Sequence, residues 1–248
     1  MVADGARMSG EAGVDAPLES GAGGQPHFLP ASADRMAEAA RYAVLSRLGP
    51  MLRHDVAGAL QPLGMMAALL QKRLQAAAPE MVAVSKSADT LQVLSKEAAA
   101  TCLGVMGWLA PKGEESVCAQ AGAQELLSLM EAELFLHGLV GVNDIPAGEA
   151  RFTRLFFRGA FAAALLALCD HSAGAGSVHA GLLELRGVRG LCLRFAPDAL
   201  MPPAQPVQRQ RRIGWDDVQA LAAAAGMAFA QGENWVTLQL PADSAAGV

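Results

Sequence analysis

The sequence is poor in charge, in basic clusters and in paired cysteines, and each shortage excludes a class of protein. Charged residues make up 17% of the 248 positions, and the net charge is −5. A general nucleic-acid binder carries a basic face instead. The one dense basic cluster, Arg209, Arg211 and Arg212, is interpreted as a solvated loop, with a phosphate contact as the alternative. The four cysteines lack the spacing of a zinc site or a disulfide framework, which fits reduced thiols in a cytoplasmic protein.

Long apolar runs are also missing. No stretch reaches the roughly 18 uninterrupted apolar residues of a membrane-spanning helix. Residues 1–31 lack the basic start and the apolar core of a signal peptide. The same residues are rich in Gly, Ala, Ser and Pro, a composition that predicts disorder. We therefore expect a cytoplasmic protein that binds neither membrane nor nucleic acid.

Apolar residues make up 52% of the chain, and over residues 32–111 they recur in steps of three and four. This spacing predicts two amphipathic helices, joined at the break AAAPE, where Pro79 suits the first turn of the second helix. The Gly49–Pro50 pair predicts an interruption or a bend in the first helix. The two apolar stripes contain Leu45, Leu48, Leu52, Val56, Ala59, Leu63, Ala67, Leu70 and Leu74, then Met81, Val84, Ala88, Leu91, Leu94, Ala98, Cys102, Val105 and Leu109.

The predicted fold class is α+β, with two regions of different pattern. An antiparallel helical hairpin over residues 32–111 cannot bury both sides of its stripes, so we predict that two copies form a four-helix bundle. Residues 116–241 predict helix, strand, long buried helix, β-hairpin, helix and strand. Helices segregated against a short sheet are typical of a two-layer sandwich. A short tail, residues 242–248, follows.

An adjacent imidazole and carboxylate, His54 and Asp55, lie on the polar side of the first helix. At 100° per residue, His54 is about 200° from Leu52 and from Val56, so it points away from the apolar stripe. A neutral imidazole nitrogen is a good nucleophile, and a neighbouring carboxylate can orient the ring or accept its proton. On spacing alone, an exposed histidine without a role is the more common interpretation.

The stretch HDVAGALQPL, which begins at His54, resembles the H-box of bacterial sensor histidine kinases, in which an acidic residue follows the phospho-accepting histidine. In that family the H-box lies on the first helix of a dimerising hairpin, and an ATP-binding domain with a similar order of elements follows. The resemblance covers residues 34–241. It implies that His54 is the phospho-acceptor and that Asp55 is its acid/base or orienting neighbour. Residues expected to contact a docking partner are Arg53, Gly58, Gln61 and Met65.

The features that hold ATP in this kinase family are missing from the second region. The helix that should carry an asparagine-rich box reads AALLALCDHS, with Ala163 and Ala167 at the metal-binding positions, and alanine has no oxygen to coordinate a metal. Asp198 is not followed by glycines, and Gly214 stands alone where a glycine-rich loop should let backbone amides approach phosphate. We expect no cofactor on this chain, and we expect Asp170 and His171 to cap the helix end.

A phospho-accepting histidine beside a degenerate ATPase-like domain resembles the dimeric bacterial histidine phosphotransferases. This resemblance implies that the chain moves a phosphoryl group between aspartates of response-regulator receiver domains, with Mg²⁺ bound by the receiver. The implied partners are a second copy, receiver domains and a hybrid histidine kinase. Gly58 stands where a polar residue often supports phosphatase activity in the kinase family, which favours a relay. The alternative is a non-catalytic, pseudokinase-like protein that regulates a histidine kinase or a response regulator by docking.

Overall fold

The computed structural model describes residues 32–109, 115–172, 174–185, 188–198 and 211–240. The predicted disordered segment, the predicted tail and Arg209 lie outside these residues. None of the helices in the described part of the chain combines the length and the apolarity that a bilayer-spanning helix needs.

Two long helices form the N-terminal hairpin, α1 (Ser32–Leu74) and α2 (Met81–Leu109). α1 continues through Pro50 and Pro62, so an interruption at Gly49–Pro50 is wrong, whereas the alternative, a bend, stays a prediction. Each proline removes one backbone hydrogen bond, but buried neighbours on both sides of Pro50, such as Leu48 and Leu52, hold the helix by packing. At the tip of the hairpin, Arg73 donates hydrogen bonds to Ser87 and to the Ala83 carbonyl oxygen.

The second region is an α+β unit with a mixed sheet. Its elements in chain order are β1 (Ser116–Cys118), α3 (Ala119–Leu129), α4 (Glu131–Leu136), β2 (Leu139–Asn143), β3 (Arg151–Thr153), α5 (Arg154–Phe156), a π-helical turn (Phe157–Phe161), α6 (Ala162–His171), β4 (Gly176–Leu185), β5 (Val188–Pro197), α7 (Trp215–Ala224), β6 (Ala228–Gln231) and β7 (Trp235–Gln239). The five-stranded sheet has the order β2-β4-β5-β7-β6, and β1 pairs with β3. Only the β2–β4 pair of the large sheet is parallel.

The predicted α+β class and the order of the main elements are confirmed. The single helix predicted at the start of this region, across AGAQELLSLMEAELFLHGL, is two helices, because α3 ends at Leu129 and α4 begins at Glu131. The strands β1, β3 and β6 were not predicted. Each has only three or four residues, which is too short for a clear alternation of apolar and polar side chains.

One apolar core joins the second region to the first part of α1. α6 is buried on every side, as its apolar composition predicts, and its residues from Ala162 to Cys169 are all at most 3% exposed. Apolar side chains of α1, including Val44 and Leu48, belong to the same core cluster. The hairpin is therefore held against the second region by shared packing. The upper part of α1, residues 37–52, is a structural element of both.

Candidate functional site

His54 lies on an exposed flank of α1, just beyond the buried part of the helix. Its side chain is 87% exposed, whereas Leu52 is buried and Val56 is half-buried. The exposed position that helical spacing predicted is therefore confirmed. The chemical role of His54 stays a prediction, because exposure by itself does not distinguish a phospho-acceptor from an ordinary surface histidine.

Asp55 lies on the Nδ1 side of the His54 ring. Its Oδ1 atom is 3.8 Å from Nδ1, which is too long for a hydrogen bond but close enough to attract a protonated ring. Catalytic contacts are often loose before a partner binds and tighten in the complex. Among the described residues none hydrogen-bonds to Nε2, so that nitrogen is open to an approaching group.

The four residues predicted to contact a docking partner are all accessible. Arg53 and Gln61 are exposed, and Met65 is 62% exposed. A Cβ atom added to Gly58 would have no neighbour within 4 Å, so the surface one turn after His54 is open. Their exposure permits docking, and their contacts with a partner stay a prediction.

A groove beside His54 has its opposite wall in the second region, which sequence reasoning missed. Its volume is about 560 Å³, and it runs between α1, with His54 and Asp55, and the α3–α4 segment, with Glu131, Phe135 and Leu136. These two walls are separated by more than 70 positions in the chain. No local pattern indicates that they meet, because the groove depends on how these distant segments pack.

A buried ion-pair network ties α1 to this second wall. Arg47, two helical turns before His54, donates from Nη2 to Glu133 Oε1 at 2.8 Å and from Nη1 to Asp170 Oδ2 at 3.0 Å. A second contact from Nη2 to Asp170 Oδ1, at 3.1 Å, makes the Arg47–Asp170 pair bidentate. Asp170 also accepts the Ile213 backbone N–H at 2.9 Å. The prediction that Asp170 caps α6 is therefore wrong, since its carboxylate joins α6 to α1 and to the segment before α7.

The ionised form of Glu133 is stabilised by its neighbours. The His137 ring and the Arg47 guanidinium lower the pKa of Glu133 to about 2 against the opposing effect of burial. Because its side chain is only 5% exposed, the carboxylate depends on these partners for the interactions that water would supply.

His171, the other residue predicted to cap α6, lies at the end of that helix. The ring of His171 donates from Nδ1 to the Ala167 carbonyl oxygen at 2.7 Å, which satisfies one of the last carbonyls of the helix. The prediction that His171 caps this end is confirmed. The ring stacks on Trp215 at the start of α7, with 5.1 Å between centroids.

The positions expected to bind nucleotide by resemblance to the kinase family are buried in the core or already contact a carboxylate. Ala163 and Ala167 are 0% exposed within the core. At the start of α7, the N–H of Gly214 donates to Asp217 Oδ2 at 3.0 Å, and Arg211 pairs with the same carboxylate at 2.6 Å. Aspartates at a helix N-terminus already interact with the positive end of the helix dipole and would repel a phosphate.

No described residues form a group of three His, Cys, Asp or Glu side chains able to hold a metal ion. This finding concerns only residues 32–109, 115–172, 174–185, 188–198 and 211–240, so the absence of a cofactor stays a prediction.

A second histidine–carboxylate pair on the sheet has a different geometry. The Nδ1 atom of His179 is 2.7 Å from Asp144 Oδ2, and its Nε2 atom is 2.8 Å from the Ser177 hydroxyl. Both ring nitrogens are thus engaged, and the contacts join the end of β2 to the start of β4. His179 lacks the open nitrogen that distinguishes His54.

Comparisons with known proteins give structural similarity at low sequence identity. No family model and no curated protein matches it. Among solved structures, it is similar to the Acinetobacter baumannii histidine kinase AdeS, at 16% identity over 73% of this chain and 98% of that chain, with a TM-score of 0.41. It is also similar to a bacterial phosphotransferase, at 11% identity over 85% of this chain and 97% of that chain, with a TM-score of 0.35.

A third similar structure is the histidine kinase ThkA in complex with the response regulator protein TrrA, at 11% identity over 86% of this chain and 66% of that chain, with a TM-score of 0.37. Because these TM-scores lie below 0.5, the matches assign no role to any residue of this chain.

Proposed function

We propose that this protein is a histidine phosphotransferase of a two-component phosphorelay. His54 accepts a phosphoryl group from the aspartate of one receiver domain and passes it to another, without binding ATP. The observation that carries the proposal is the geometry at His54: the imidazole is 87% exposed, Nε2 is open, and Asp55 lies 3.8 Å from Nδ1.

The transfer step follows from this arrangement. The lone pair of His54 Nε2 attacks the phosphorus of the receiver's aspartyl phosphate, and an N–P bond forms as the P–O bond to the aspartate breaks. The receiver carboxylate leaves with the bonding electron pair. The ring then releases its Nδ1 proton to Asp55 or to water. Onward transfer to a second receiver reverses these steps, and the Mg²⁺ that neutralises phosphoryl charge belongs to the receiver.

Two features of the second region, the buried helix α6 and the acidic first turn of α7, support a phosphate source other than ATP. The side of α6 that carries Ala163 and Ala167 is filled by the core, and the first turn of α7 is acidic. A triphosphate needs metal ligands and approachable backbone amides. Ala163 and Ala167 offer no oxygen ligand, and the Gly214 N–H is already bonded to Asp217. An aspartyl phosphate brings its own metal and its own leaving group, so it fits this protein better.

A homodimer forms part of the proposed function. The lower hairpin, residues 53–109, leaves large apolar side chains exposed to solvent. Among them are Leu60, Leu69, Val93, Leu103 and Met106, each at least 39% exposed. Large apolar side chains at this exposure are expensive in water and are typical of an interface. A second hairpin packed against them would complete a four-helix bundle with two copies of His54 on its flanks.

Radiolabel transfer tests the proposal directly. A panel of receiver domains, phosphorylated with labelled acetyl phosphate and Mg²⁺, is incubated with the purified protein. We expect label on wild type and none on His54→Ala, and the label should be lost in acid and kept in base, as for a phosphoramidate. The matched control is His179→Asn, which removes another histidine with a carboxylate partner and should leave labelling unchanged.

Two outcomes would contradict this function. If wild type takes no label from any receiver that is itself phosphorylated, His54 is not a phospho-acceptor for receivers. If His54→Ala fully restores signalling in cells that lack the gene, docking alone suffices, and the non-catalytic binding protein replaces the phosphotransferase.

A further inference from the structure

The groove beside His54 has an exposed apolar ridge on its second wall. Phe135 is 79% exposed and Leu136 is 42% exposed, and both line the groove. Val140, which lines the adjoining pocket with Phe135, is 56% exposed. A contiguous cluster of large apolar side chains at such exposure marks an interaction surface.

The position of the ridge decides which partner would cover it. Transfer requires the receiver phosphorus to come within about 3.5 Å of Nε2. A domain of about 100 residues has a radius of gyration of about 13 Å, so a receiver seated at His54 extends over the surface around it. Since His54 and Asp55 themselves line the groove, the receiver that reaches Nε2 lies against its opposite wall as well.

The buried network described above fixes that wall. Arg47 lines the groove together with Glu133, and Glu133 lies two residues before Phe135 on the one-and-a-half-turn helix α4. The pairs from Arg47 to Glu133 and Asp170 are 2.8 and 3.0 Å long and have side chains only 5% exposed. Breaking them would remove the guanidinium from two buried carboxylates, so α4 is held in one position relative to α1.

We propose that this groove is a preformed docking surface for the receiver domain, with Phe135 and Leu136 as specificity-determining contacts and Arg47 as a positioning residue that sets α4 relative to His54. The proposal rests on the proposed phosphotransferase function and deepens it. In this protein, the second region contributes a rigid part of the receiver site. The conformational entropy of that surface is therefore lost when the protein folds and not each time a receiver binds.

Steady-state transfer kinetics test the ridge. The probe is the receiver domain that transfers fastest to wild type in the panel above. We expect Phe135→Ala to raise KM for the phosphorylated receiver about tenfold, which corresponds to ~1.4 kcal/mol, while kcat changes less than twofold. The matched control is Tyr42→Ala, which removes an aromatic ring of similar exposure, 76%, from an earlier part of α1 and should leave KM unchanged.

Coupling between variants tests the positioning role of Arg47. Arg47→Lys keeps the charge but loses the bidentate geometry. If Arg47 positions the ridge, then Phe135→Ala should raise KM less than threefold in the Arg47→Lys background, because the ridge is already misplaced. Glu133→Gln, which keeps the Arg47–Asp170 pair, serves the same comparison if Arg47→Lys does not melt cooperatively. Full additivity in the folded background would overturn the positioning role.

The failure of this inference differs from the failure of the proposed function. If wild type is labelled at His54 but Phe135→Ala and Tyr42→Ala both keep the wild-type KM, the groove is not the docking surface and the phosphotransferase stands. If wild type takes no label at His54, the proposed function fails and the docking inference fails with it.

Discussion

The two parts of α1 have the same apolar spacing and opposite surroundings. Eight residues between Ala37 and Leu52 are buried, and no α1 residue after Leu52 is. The upper part packs into the core of the second region, whereas the lower part has α2 beside it and leaves Leu60, Met65 and Leu69 exposed. His54 lies directly after the transition. One helix thus joins the core of the second region to a surface on the lower hairpin that a second copy could cover.

Removing Arg47 should damage the rigid part most. Arg47→Met removes the guanidinium from the buried carboxylates of Glu133 and Asp170, and we expect the free energy of unfolding to fall by about 3–5 kcal/mol. Urea unfolding at neutral pH measures the loss. The triple variant Arg47→Met, Glu133→Leu, Asp170→Leu removes the charges together and should recover most of it. A loss below about 1 kcal/mol for Arg47→Met would mean that the network does not hold α1 to the second region.

Acid should weaken the same junction through Glu133. Its pKa is about 2 in the folded protein and near 4.5 when unfolded, so its stabilising contribution is complete above pH 4.5 and is lost as the pH falls through 2. At about 1.4 kcal/mol per pKa unit, the contribution is about 3 kcal/mol. The difference in unfolding free energy between wild type and Glu133→Gln should therefore shrink from pH 5 to pH 2. A constant difference would contradict the ionised pair.

A charge on the lower hairpin should disrupt dimerisation and leave the junction intact. Met106→Glu places a carboxylate on the exposed apolar stripe that Met106 forms with Leu103 and Leu109 of α2. We expect the dimer dissociation constant to rise about 30-fold, or ~2 kcal/mol. Sedimentation velocity over a concentration series measures the change. Gln92→Glu, at an exposed polar position of the same helix, is the control. Equal dissociation constants for the two variants would argue that this stripe is not the dimer interface.

Two glycines give the smallest and most direct comparison of the regions. A Cβ on Gly122 would meet three ring atoms of Phe157, whereas one on Gly58 meets nothing within 4 Å. Thermal unfolding should show Gly122→Ala destabilised by about 1–3 kcal/mol and Gly58→Ala stabilised by up to about 1 kcal/mol through helix propensity. Similar effects of both changes would contradict the close packing of α3 on the π-helical turn.

Much of the candidate site was predictable, because its signals are local. The three- and four-residue spacing predicted two helices and placed His54 away from the stripe, and adjacency in sequence brought Asp55 to the same ring. Arg47 carried no such signal, since a single arginine in an amphipathic helix is usually exposed. The wrong prediction for Asp170 has the same origin: a polar residue near a helix end is commonly a cap, and its real partner lies 123 positions away.

Periodicity and residue chemistry by themselves determined the hairpin, the exposed imidazole with its carboxylate, and the lack of oxygen ligands along α6. These properties depend on neighbours within one or two helical turns. The tertiary structure alone decided which part of α1 is buried, which charges pair in the interior, and that the apolar ridge of α4 faces His54. Those outcomes depend on contacts between segments far apart in the chain, whose geometry is set only when the shared core forms.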